Sequence, residues 1–477
     1  MKVLFVASEA APFVKTGGLG EVIGSLPAAL RSLGVDARVI IPKYRVIAKE
    51  YKDSIKHMKY IYINLNWRRI YCGIEEYEHK GVPFYFIDNL YYFDKDYLYG
   101  YGDLEVERYA FFCKAVIESL RAIDFVPDII QCHDWQTGLL PFLMKVQYGN
   151  DEFKKVRTLF TIHNLKYQGL FAKRLLGDVL GVGEEYFTSD KLEYNSNVNS
   201  LKAGLVYSDF INTVSPSYAE EIQHPHYGEG LDGLLRARKN VLYGVLNGVD
   251  YETYNPKTDT MIFKNYDVDD WSLGKAVNKV ELQKMLGLSV RPDVPILGIV
   301  SRLVSQKGWD LLECVLKEVL ELDLQMIVLG GGDSSYEDMF KYAAYKNPDK
   351  AYICVGYDDT LAHRIYAASD IFLMPSSFEP CGLGQLFALR YGTIPIVRET
   401  GGLKDTVIPL NEFSNEGNGF SFTNYNAHDM LFTIKRALSF YSRTDIWDML
   451  VRRAMNSNYS WESSAEKYIE IYNKMIN

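Results

Sequence analysis

Several features that mark membrane, secreted and nucleic-acid-binding proteins are missing from this sequence. No run of about 18 apolar residues occurs, so no membrane-spanning helix is predicted. The six cysteines form no C-x-x-C pair, which favours free thiols over disulfides or a zinc site. The net charge of −9, without a long basic run, argues against nucleic acid or an anionic membrane as partner. The first apolar run ends before Ser8 and is too short for a signal-peptide core, so we expect a cytoplasmic protein.

What is present is an ordinary globular composition in a chain too long for one core. Hydrophobic residues make up 48% and charged residues 24% of the 477 residues, which favours two or three domains. The aromatic fraction of 14% includes 36 tyrosines. Tyrosine-rich surfaces suit sugar binding, but we expect most of these rings in packing.

The most informative stretch is residues 372–404, where two strand–loop–helix units follow each other. A strand leads to a helix of about three turns over 381–391, and a second strand over 393–397 leads to Thr400-Gly401-Gly402 at the head of a further helix. Two helix N-termini at one edge of a parallel sheet attract phosphate. Glu379 stands just before the first helix, where it is either a plain helix-start charge or an acceptor for sugar hydroxyls. The two loops together favour a phosphate-and-sugar site.

A second glycine-containing loop opens the first half of the chain. A strand at 2–7 leads through Lys15-Thr16-Gly17-Gly18-Leu19 into a helix, the position where α/β sheets bind ligands. The loop lacks the G-x-G-x-x-G fingerprint, and Lys15 alone is as consistent with a solvated lysine. The tetrapeptide TGGL recurs at 400–403, which fits two similar nucleotide-binding folds facing each other across a cleft.

Two histidine clusters follow neighbouring predicted strands. His133-Asp134-Trp135 comes after one strand, and His163 comes directly after the next. Either histidine alone is often only a loop residue. Because both lie at the strand ends that share an edge with Lys15, we predict one site there. The aromatic stretch at 91–103 is predicted to be a functional loop.

The second half is predicted to form another α/β domain after a polar connection over 250–292 that includes a helix at 274–286. Its strands are predicted at Ile296–Val300, 325–329, Ala351–Val355, Ile371–Met374, 394–397 and 419–422. The first of them runs into Arg302 and Lys307. A planar guanidinium fork and a point-charge ammonium suit a diphosphate on which negative charge grows.

Motifs over the whole chain resemble those of bacterial glycogen synthases and plant starch synthases, which are retaining glucosyltransferases. They are KTGGL (15–19), HDW (133–135), TIHN (161–164), NGVD (247–250), SRL with QKG (301–308), EPCGL (379–383) and RETGGL (398–403), with SW (460–461), SA (464–465) and Tyr468 matching a C-terminal helix. The resemblance implies the GT-B fold, an α/β protein with two Rossmann-like domains, a cleft between them and a C-terminal helix that crosses back to the first domain. We expect the first domain at 1–250, completed by 460–477, and the second at 251–459.

The resemblance also implies substrates and residue roles. The expected reaction transfers glucose from ADP-glucose to the non-reducing end of an α-1,4-glucan, such as glycogen or a maltooligosaccharide, with no cofactor and no metal. Glu379 and His163 would hold the glucose, and Lys15, Arg302 and Lys307 the donor phosphates. Other donor positions are Gly17, Gly18, Asn247, Tyr357 against the adenine, Cys381, Gly382, Leu383, Thr400 and Gly401. The acceptor side is expected at Asp134, Trp135, Tyr99, Tyr101 and Glu21.

Some positions depart from the family pattern, and they concern the acceptor more than the donor. Gly20-Glu21 stands where Ala-Asp is usual, Gln136 where His is often found, and Gly384 where Thr is usual. Glycosidases place two carboxylates beside the bond they cleave. Here only Glu379 is well placed, so we expect a retaining transfer without a protein nucleophile, in which the leaving phosphate helps to deprotonate the acceptor.

Three other functions fit parts of the sequence. Another GT-B transferase, such as a sucrose synthase-like enzyme, is disfavoured by the KTGGL motif. A catalytically silent glucan-binding protein has no use for the leaving-group charge of Arg302 and Lys307. A pyridoxal-dependent phosphorylase is disfavoured because the chain offers no extra segment to build the cofactor site.

Overall fold

The computed structural model describes residues 1–149 and 152–477, and the chain divides into two compact units. The first unit contains Met1–Gly248 and Trp461–Asn477, and the second contains Val249–Ser460. None of the helices in the described ranges is long and apolar enough to cross a membrane.

The described residues of the first unit form twelve strands in two sheets. They are β1 (Lys2–Val6), β2 (Asp36–Pro42), β3 (Lys56–Leu65), β4 (Arg68–His79), β5 (Val82–Asp88), β6 (Ile129–His133), β7 (Arg157–Ile162), β8 (Leu170–Ala172), β9 (Glu193–Tyr194), β10 (Asn197–Asn199), β11 (Phe210–Thr213) and β12 (Leu242–Gly244). Nine of them form one sheet in the order β12-β11-β7-β6-β1-β2-β5-β4-β3. Its pairs are parallel except β3–β4 and β4–β5, and β8-β10-β9 is a small antiparallel sheet.

Eight α-helices accompany these strands. They are α1 (Gly18–Ser32), α2 (Lys49–Lys52), α3 (Leu90–Phe93), α4 (Asp103–Ala122), α5 (Leu139–Val146), α6 (Ser200–Tyr207), α7 (Pro216–Glu221) and α8 (Asp232–Ala237). Short 3₁₀ turns lie at Trp135–Thr137, Glu152–Lys155, Glu184–Tyr186 and Lys239–Val241, and a π turn at Leu176–Leu180. The central strands are buried apolar runs, as expected where helices cover both faces of a parallel sheet.

The second unit is a six-stranded, wholly parallel sheet with helices. Its strands are β13 (Ile296–Val300), β14 (Gln325–Gly330), β15 (Ala351–Val355), β16 (Ile371–Met374), β17 (Ile394–Arg398) and β18 (Phe420–Phe422), in the order β15-β14-β13-β16-β17-β18. Its helices are α9 (Trp271–Leu286), α10 (Trp309–Glu321), α11 (Ser334–Lys346), α12 (Asp359–Ala368), α13 (Gly384–Arg390), α14 (Gly401–Thr406), α15 (Ala427–Tyr441) and α16 (Thr444–Asn456), with a 3₁₀ turn at Ser305–Lys307. All six strands predicted from the sequence are present.

The last helix, α17 (Trp461–Ile476), returns to the first unit and packs against α1. Two of its buried tyrosines reach polar groups on the sheet. Asn212 donates a hydrogen bond to the Tyr468 hydroxyl at 3.1 Å, and Tyr472 donates to Gln131. The C-terminal helix is therefore part of the first core.

The prediction of a three-turn helix over 381–391 is wrong. Helix α13 begins only at Gly384 and has 7 residues, so Glu379 lies five positions before it rather than beside its start. Gly382 takes a left-handed φ of +74°, which interrupts a right-handed helix at that point. The following helix α14 is also short, with 6 residues. That the N-termini of these two helices bind phosphate stays a prediction.

Strand β4, whose buried residues are mixed with exposed charged ones, was not predicted from the sequence. The helix predicted at 274–286 within the polar connection is present as α9, which begins three residues earlier and buries Lys275, Asn278 and Lys279 within the second unit.

Candidate active site

The first cluster of candidate residues lies where β1, β6 and β7, which are neighbours in the sheet, reach their carboxyl ends. His133 is the last residue of β6 and His163 follows β7, and the His133 Nδ1 and His163 Nε2 atoms are 2.8 Å apart. Burial lowers the pKa of His163 to about 3, and burial together with His163 holds the pKa of His133 well below its usual value. Both imidazoles are therefore neutral at pH 7.

The proton in this pair can be placed on one ring. The buried His133 Nε2 atom has no hydrogen-bond partner in the part of the chain that the structure describes. A buried N–H without a partner is rarer than a buried acceptor without one, so we infer that His133 carries its proton on Nδ1 and donates it to His163 Nε2. His163 then carries its own proton on Nδ1 and offers an N–H donor to a ligand.

Asp134 follows His133 in an unusual backbone conformation, with φ +56° and ψ −176°. Its Oδ1 accepts hydrogen bonds from the backbone N–H groups of His163, at 2.8 Å, and of Asn164, at 3.5 Å. Burial raises the pKa of Asp134 to about 7; these two bonds oppose the rise and the charge of Glu9 adds to it. Asp134 therefore acts mainly on the backbone that carries His163.

A cavity of about 430 Å³ lies beside Trp135 in the first unit. Its walls are aromatic and polar, with Tyr167, Gln168, Asp103 and Glu105 among them. Tyr109 packs edge-on against the indole ring of Trp135, with ring centroids 5.2 Å apart. The rigidly packed indole can thus serve as one wall of a binding pocket for a polar ligand.

The loop at residues 15–18, which we call the glycine loop, leads into α1. Lys15 pairs with Glu21 on α1, so the two residues assigned to donor and acceptor sides lie together. A Cβ atom added at Gly17 or Gly18 would meet no other atom within 4 Å. Packing within the chain therefore does not require glycine there, and the backbone stands open to a ligand.

The segment at residues 97–101, which we call the aromatic loop, contains the predicted Tyr99 and Tyr101. The Tyr101 hydroxyl accepts from the Tyr97 N–H at 2.8 Å and donates to the Tyr97 carbonyl at 2.9 Å, so it braces the loop itself. The Tyr99 hydroxyl donates to Glu9 at 2.6 Å. Glu9 was not among the predicted residues. Its position directly beyond β1, on the edge already suspected, was the signal that could have found it.

In the second unit the central pair is Lys307 and Glu379. Lys307 Nζ lies 2.5 Å from Glu379 Oε2, and the Ser376 hydroxyl donates to the same oxygen at 3.1 Å. Strands β13 and β16 are neighbours, which brings the loops that follow them together. Ser376, a partner of Glu379, was not singled out in the sequence.

Arg302, by contrast, has an exposed side chain for which the described residues provide no ion pair. It follows β13 on the same sheet edge as Lys307. Such an uncompensated guanidinium is available to an anionic ligand.

The loop that opens α14 packs directly on the backbone of Glu379. The Gly402 N–H donates to the Glu379 carbonyl at 3.2 Å, and a side chain at Gly401, whose φ is +44°, would collide with that carbonyl. Cys381 and Thr400, one from each of the two loops, are buried. The two loops at 379–383 and 400–402 thus form one interlocked surface.

One further predicted donor residue lies in each unit. Tyr357, in the second unit, is 72% exposed, and its hydroxyl donates to Asp359 at 2.6 Å. Asn247, in the first unit, is buried, and its Oδ1 has no hydrogen-bond partner among the described residues.

The chain is similar to known proteins over almost all of its length. Residues 2–237 match the family model described as the starch synthase catalytic domain, and residues 287–447 match glycosyl transferases group 1. Glycogen synthases of Desulforamulus reducens and Geobacillus stearothermophilus are 54% and 53% identical over 477 residues, covering 100% of this chain and 99% and 98% of theirs.

Two solved structures also resemble the chain. The catalytic domain of starch synthase IV from Arabidopsis thaliana, bound to ADP and acarbose, is 33% identical with a TM-score of 0.91, and 99% of each chain is covered. A sucrose-phosphate synthase from Thermosynechococcus elongatus, at 18% identity and a TM-score of 0.62, covering 99% of this chain and 98% of its own, shares the fold.

Proposed function

This chain belongs to the glycogen synthase and starch synthase family of GT-B glycosyltransferases, and from that premise we propose that it transfers glucose from ADP-glucose to the non-reducing end of an α-1,4-glucan. The observation that carries the proposal is the Lys307–Glu379 pair beside the exposed Arg302 at one sheet edge. The related starch synthase that binds ADP and acarbose supports both ligands. The free cysteines suit a reducing cytoplasm, where we propose that the enzyme works.

The second unit is proposed to hold the donor. Arg302 and Lys307 neutralise the diphosphate, with backbone groups at Cys381, Gly382, Leu383, Thr400 and Gly401 lining it. Glu379, oriented by Lys307 and Ser376 through one oxygen, accepts glucose hydroxyls with the other. The exposed ring of Tyr357 stacks on the adenine.

The first unit is proposed to supply the remaining contacts. Lys15 and the open backbone at Gly17 and Gly18 approach the donor phosphates, and His163 donates from Nδ1 to a glucose hydroxyl. Asn247 contacts the sugar. On the acceptor side, Trp135 and the cavity beside it receive glucosyl units, together with Asp134, Tyr99, Tyr101 and Glu21.

Retention is proposed to occur without a protein nucleophile. Asp134, the carboxylate nearest His163, is turned onto backbone N–H groups and has a pKa raised to about 7, so it is a poor nucleophile at neutral pH. The bond from glucose C1 to the diphosphate breaks, the bond from C1 to the acceptor O4 forms on the same face, and the O4 proton passes to the leaving phosphate. Arg302 and Lys307 stabilise the charge that develops there.

The test is nucleotide release with glycogen and either ADP-glucose or UDP-glucose. We expect a higher kcat/KM with ADP-glucose. The Lys317→Ala variant, which changes an exposed lysine on α10, serves as a control with unchanged rates. An equal or higher kcat/KM with UDP-glucose would overturn the donor assignment, and nucleotide release that does not depend on glycogen would overturn the acceptor.

A further inference from the structure

Glu9 joins the glycine loop to the aromatic loop. Its Oε2 accepts a hydrogen bond from the Thr16 N–H at 2.5 Å. Its Oε1 accepts from the Thr16 hydroxyl at 2.7 Å and from the Tyr99 hydroxyl at 2.6 Å. Burial, with Tyr109 and Glu9, raises the pKa of Tyr99 well above its usual value, so this hydroxyl keeps its proton and donates it.

The burial of Glu9 needs an explanation. The residue is 4% exposed, and the described part of the chain gives it no basic partner. Removing a carboxylate from water without a counter-ion is costly unless hydrogen bonds replace the solvent. Among the residues that the structure describes, all the hydrogen-bond donors to the Glu9 carboxylate belong to these two loops. The cost of burying Glu9 is therefore balanced only when both loops are in place.

The other anchors of the aromatic loop act differently. Arg108 donates to the Leu98 carbonyl at 3.1 Å, and Glu105 accepts from the Gly100 N–H at 3.1 Å. Both residues belong to α4, so they fix the loop to its own following helix. Glu9 instead connects it to the segment that carries Lys15.

We propose that Glu9 is a positioning residue that couples the donor and acceptor sides of the reaction. Its carboxylate holds the glycine loop, with Lys15, and the aromatic loop, with Tyr99, in one mutual arrangement. A change at the aromatic loop is therefore transmitted to donor binding through Thr16. The inference rests on the proposed function, which assigns these loops to donor and acceptor.

The experiment uses the whole chain of 477 residues and four single variants. Tyr99→Phe removes one hydrogen bond to Glu9, together with the 2.9 Å hydrogen bond between the Tyr99 and Ser8 hydroxyls. Thr16→Val removes another bond to Glu9, and Thr16→Ser restores it. The matched control is Tyr92→Phe on α3, which removes a hydroxyl that donates to Glu107 at 2.6 Å rather than to Glu9. Because a hydrogen bond to a charged group is lost, we expect Tyr99→Phe to raise the KM for ADP-glucose, as well as for glycogen, by about tenfold. Tyr92→Phe should change neither by more than about twofold.

The decisive comparison is made in a Glu9→Ala background. If Tyr99 acts on the donor through Glu9, Tyr99→Phe should have almost no further effect on the KM for ADP-glucose there. If Glu9→Ala does not fold, the double variant Tyr99→Phe with Thr16→Val should lose less than the product of the two single losses. An effect of Tyr99→Phe on glycogen alone, or fully multiplicative losses, would overturn the coupling.

The measurements distinguish a failure of this inference from a failure of the proposed function. A wild-type chain active with ADP-glucose but unresponsive to Tyr99→Phe would overturn only the role of Glu9. If the wild-type chain used neither donor, the proposed function would fail. Calorimetric titration with ADP would still test the coupling, because Tyr99→Phe should weaken ADP binding about tenfold and Tyr92→Phe should not.

Discussion

Glu379 is the single residue for which a catalytic role and a purely structural role predict the most different results. Its carboxylate pairs with Lys307 at 2.5 Å, and the exposed fractions of the two side chains are 9% and 15%. Glu379→Ala should lower kcat by about 10² or more because contacts to the sugar strengthen in the transition state. It should also lower the free energy of unfolding by about 2 kcal/mol, since the half-buried Lys307 loses its charged hydrogen-bond partner.

The matched control is Asp370→Ala in the same unit. Asp370 pairs with the buried Lys279 at 2.7 Å and accepts from the Ile296 N–H at 2.8 Å, but it contacts none of the candidate site residues. Turnover and melting temperature are measured on both purified variants. Asp370→Ala should lose stability and keep its kcat, and a Glu379→Ala variant with near-normal turnover would contradict the catalytic assignment.

The raised pKa of Asp134 predicts that the stability of the fold decreases as the pH rises. Its pKa in the folded chain is raised to about 7 from 3.8, so the folded state binds a proton more tightly than the unfolded state. The contribution of this group to stability is therefore full below about pH 4 and is lost as the pH rises towards about 7. Asp134→Asn keeps the oxygen that accepts from His163 and removes the titration.

The measurement is urea unfolding of the wild type and Asp134→Asn at about pH 5 and about pH 8. From about pH 5 to about pH 8, the free energy of unfolding of the wild type should fall relative to that of the variant, because only the wild type loses the contribution of the Asp134 carboxyl. A difference that stays constant, or one that falls with rising pH, would show that the carboxyl does not titrate as inferred.

For single residues, the sequence predicted which side chains belong to the candidate site but not which residues they contact. His133 and His163 were both expected at strand ends, yet nothing in the motifs indicates that the two rings share a hydrogen bond. Glu9 escaped notice because a single glutamate after a strand belongs to no pattern. Its role depends on Tyr99, ninety positions away along the chain, and such a distance is closed only by the fold.

At the level of elements, α17 offers the sharpest test of the first unit. Tyr472 is fully buried and donates to Gln131 on β6. Tyr472→Phe leaves the buried Gln131 oxygen without that donor, so the free energy of unfolding should fall by about 1–3 kcal/mol. Glu466→Ala, at an exposed position on the same helix, is the control and should change it by less than about 0.5 kcal/mol. Equal effects would mean that α17 is not docked through this contact.

The elements that were predicted well are those whose own residues show a clear pattern. Strands β13, β15 and β16 have the predicted bounds because buried parallel strands are short apolar runs. The start of α13 was misplaced because a glycine can either begin a helix or break it, and Gly382 takes the left-handed conformation that breaks it. Strand β4 was missed because its pairing with β3 and β5 depends on neighbours rather than on its own pattern.

For the whole molecule, the order of motifs along the chain was more informative than any one of them. Each glycine loop or histidine has an ordinary structural explanation by itself. Seven motifs in one order over both halves of the chain have no such explanation. The relatives at 54% and 53% identity match this chain over its whole sequence. The roles of Asn247 and Tyr357 toward a ligand stay predictions.

The last prediction concerns the charge that the whole chain brings to the diphosphate. Metal-dependent sugar transferases often use a D-x-D triplet, and this chain has two. Asp94 and Asp96 lie 3.7 Å and 3.0 Å from the guanidinium of Arg45, and Asp267 lies 3.0 Å from Lys257. Both triplets thus already have a basic partner. Within residues 1–149 and 152–477, no three His, Cys, Asp or Glu side chains are grouped to hold an ion.

Arg302 and Lys307 can supply the positive charge that a divalent ion would otherwise bring to the leaving group. We therefore expect the initial rate with ADP-glucose and glycogen to be unchanged after EDTA treatment, with or without added Mg²⁺ or Mn²⁺. As a control, Asp94→Asn and Asp96→Asn should leave the rate within about twofold, because exposed ion pairs contribute little. Activity abolished by EDTA, restored by either ion and lost again in Asp96→Asn would mean that the first triplet binds the metal and that Arg45 gives way to it.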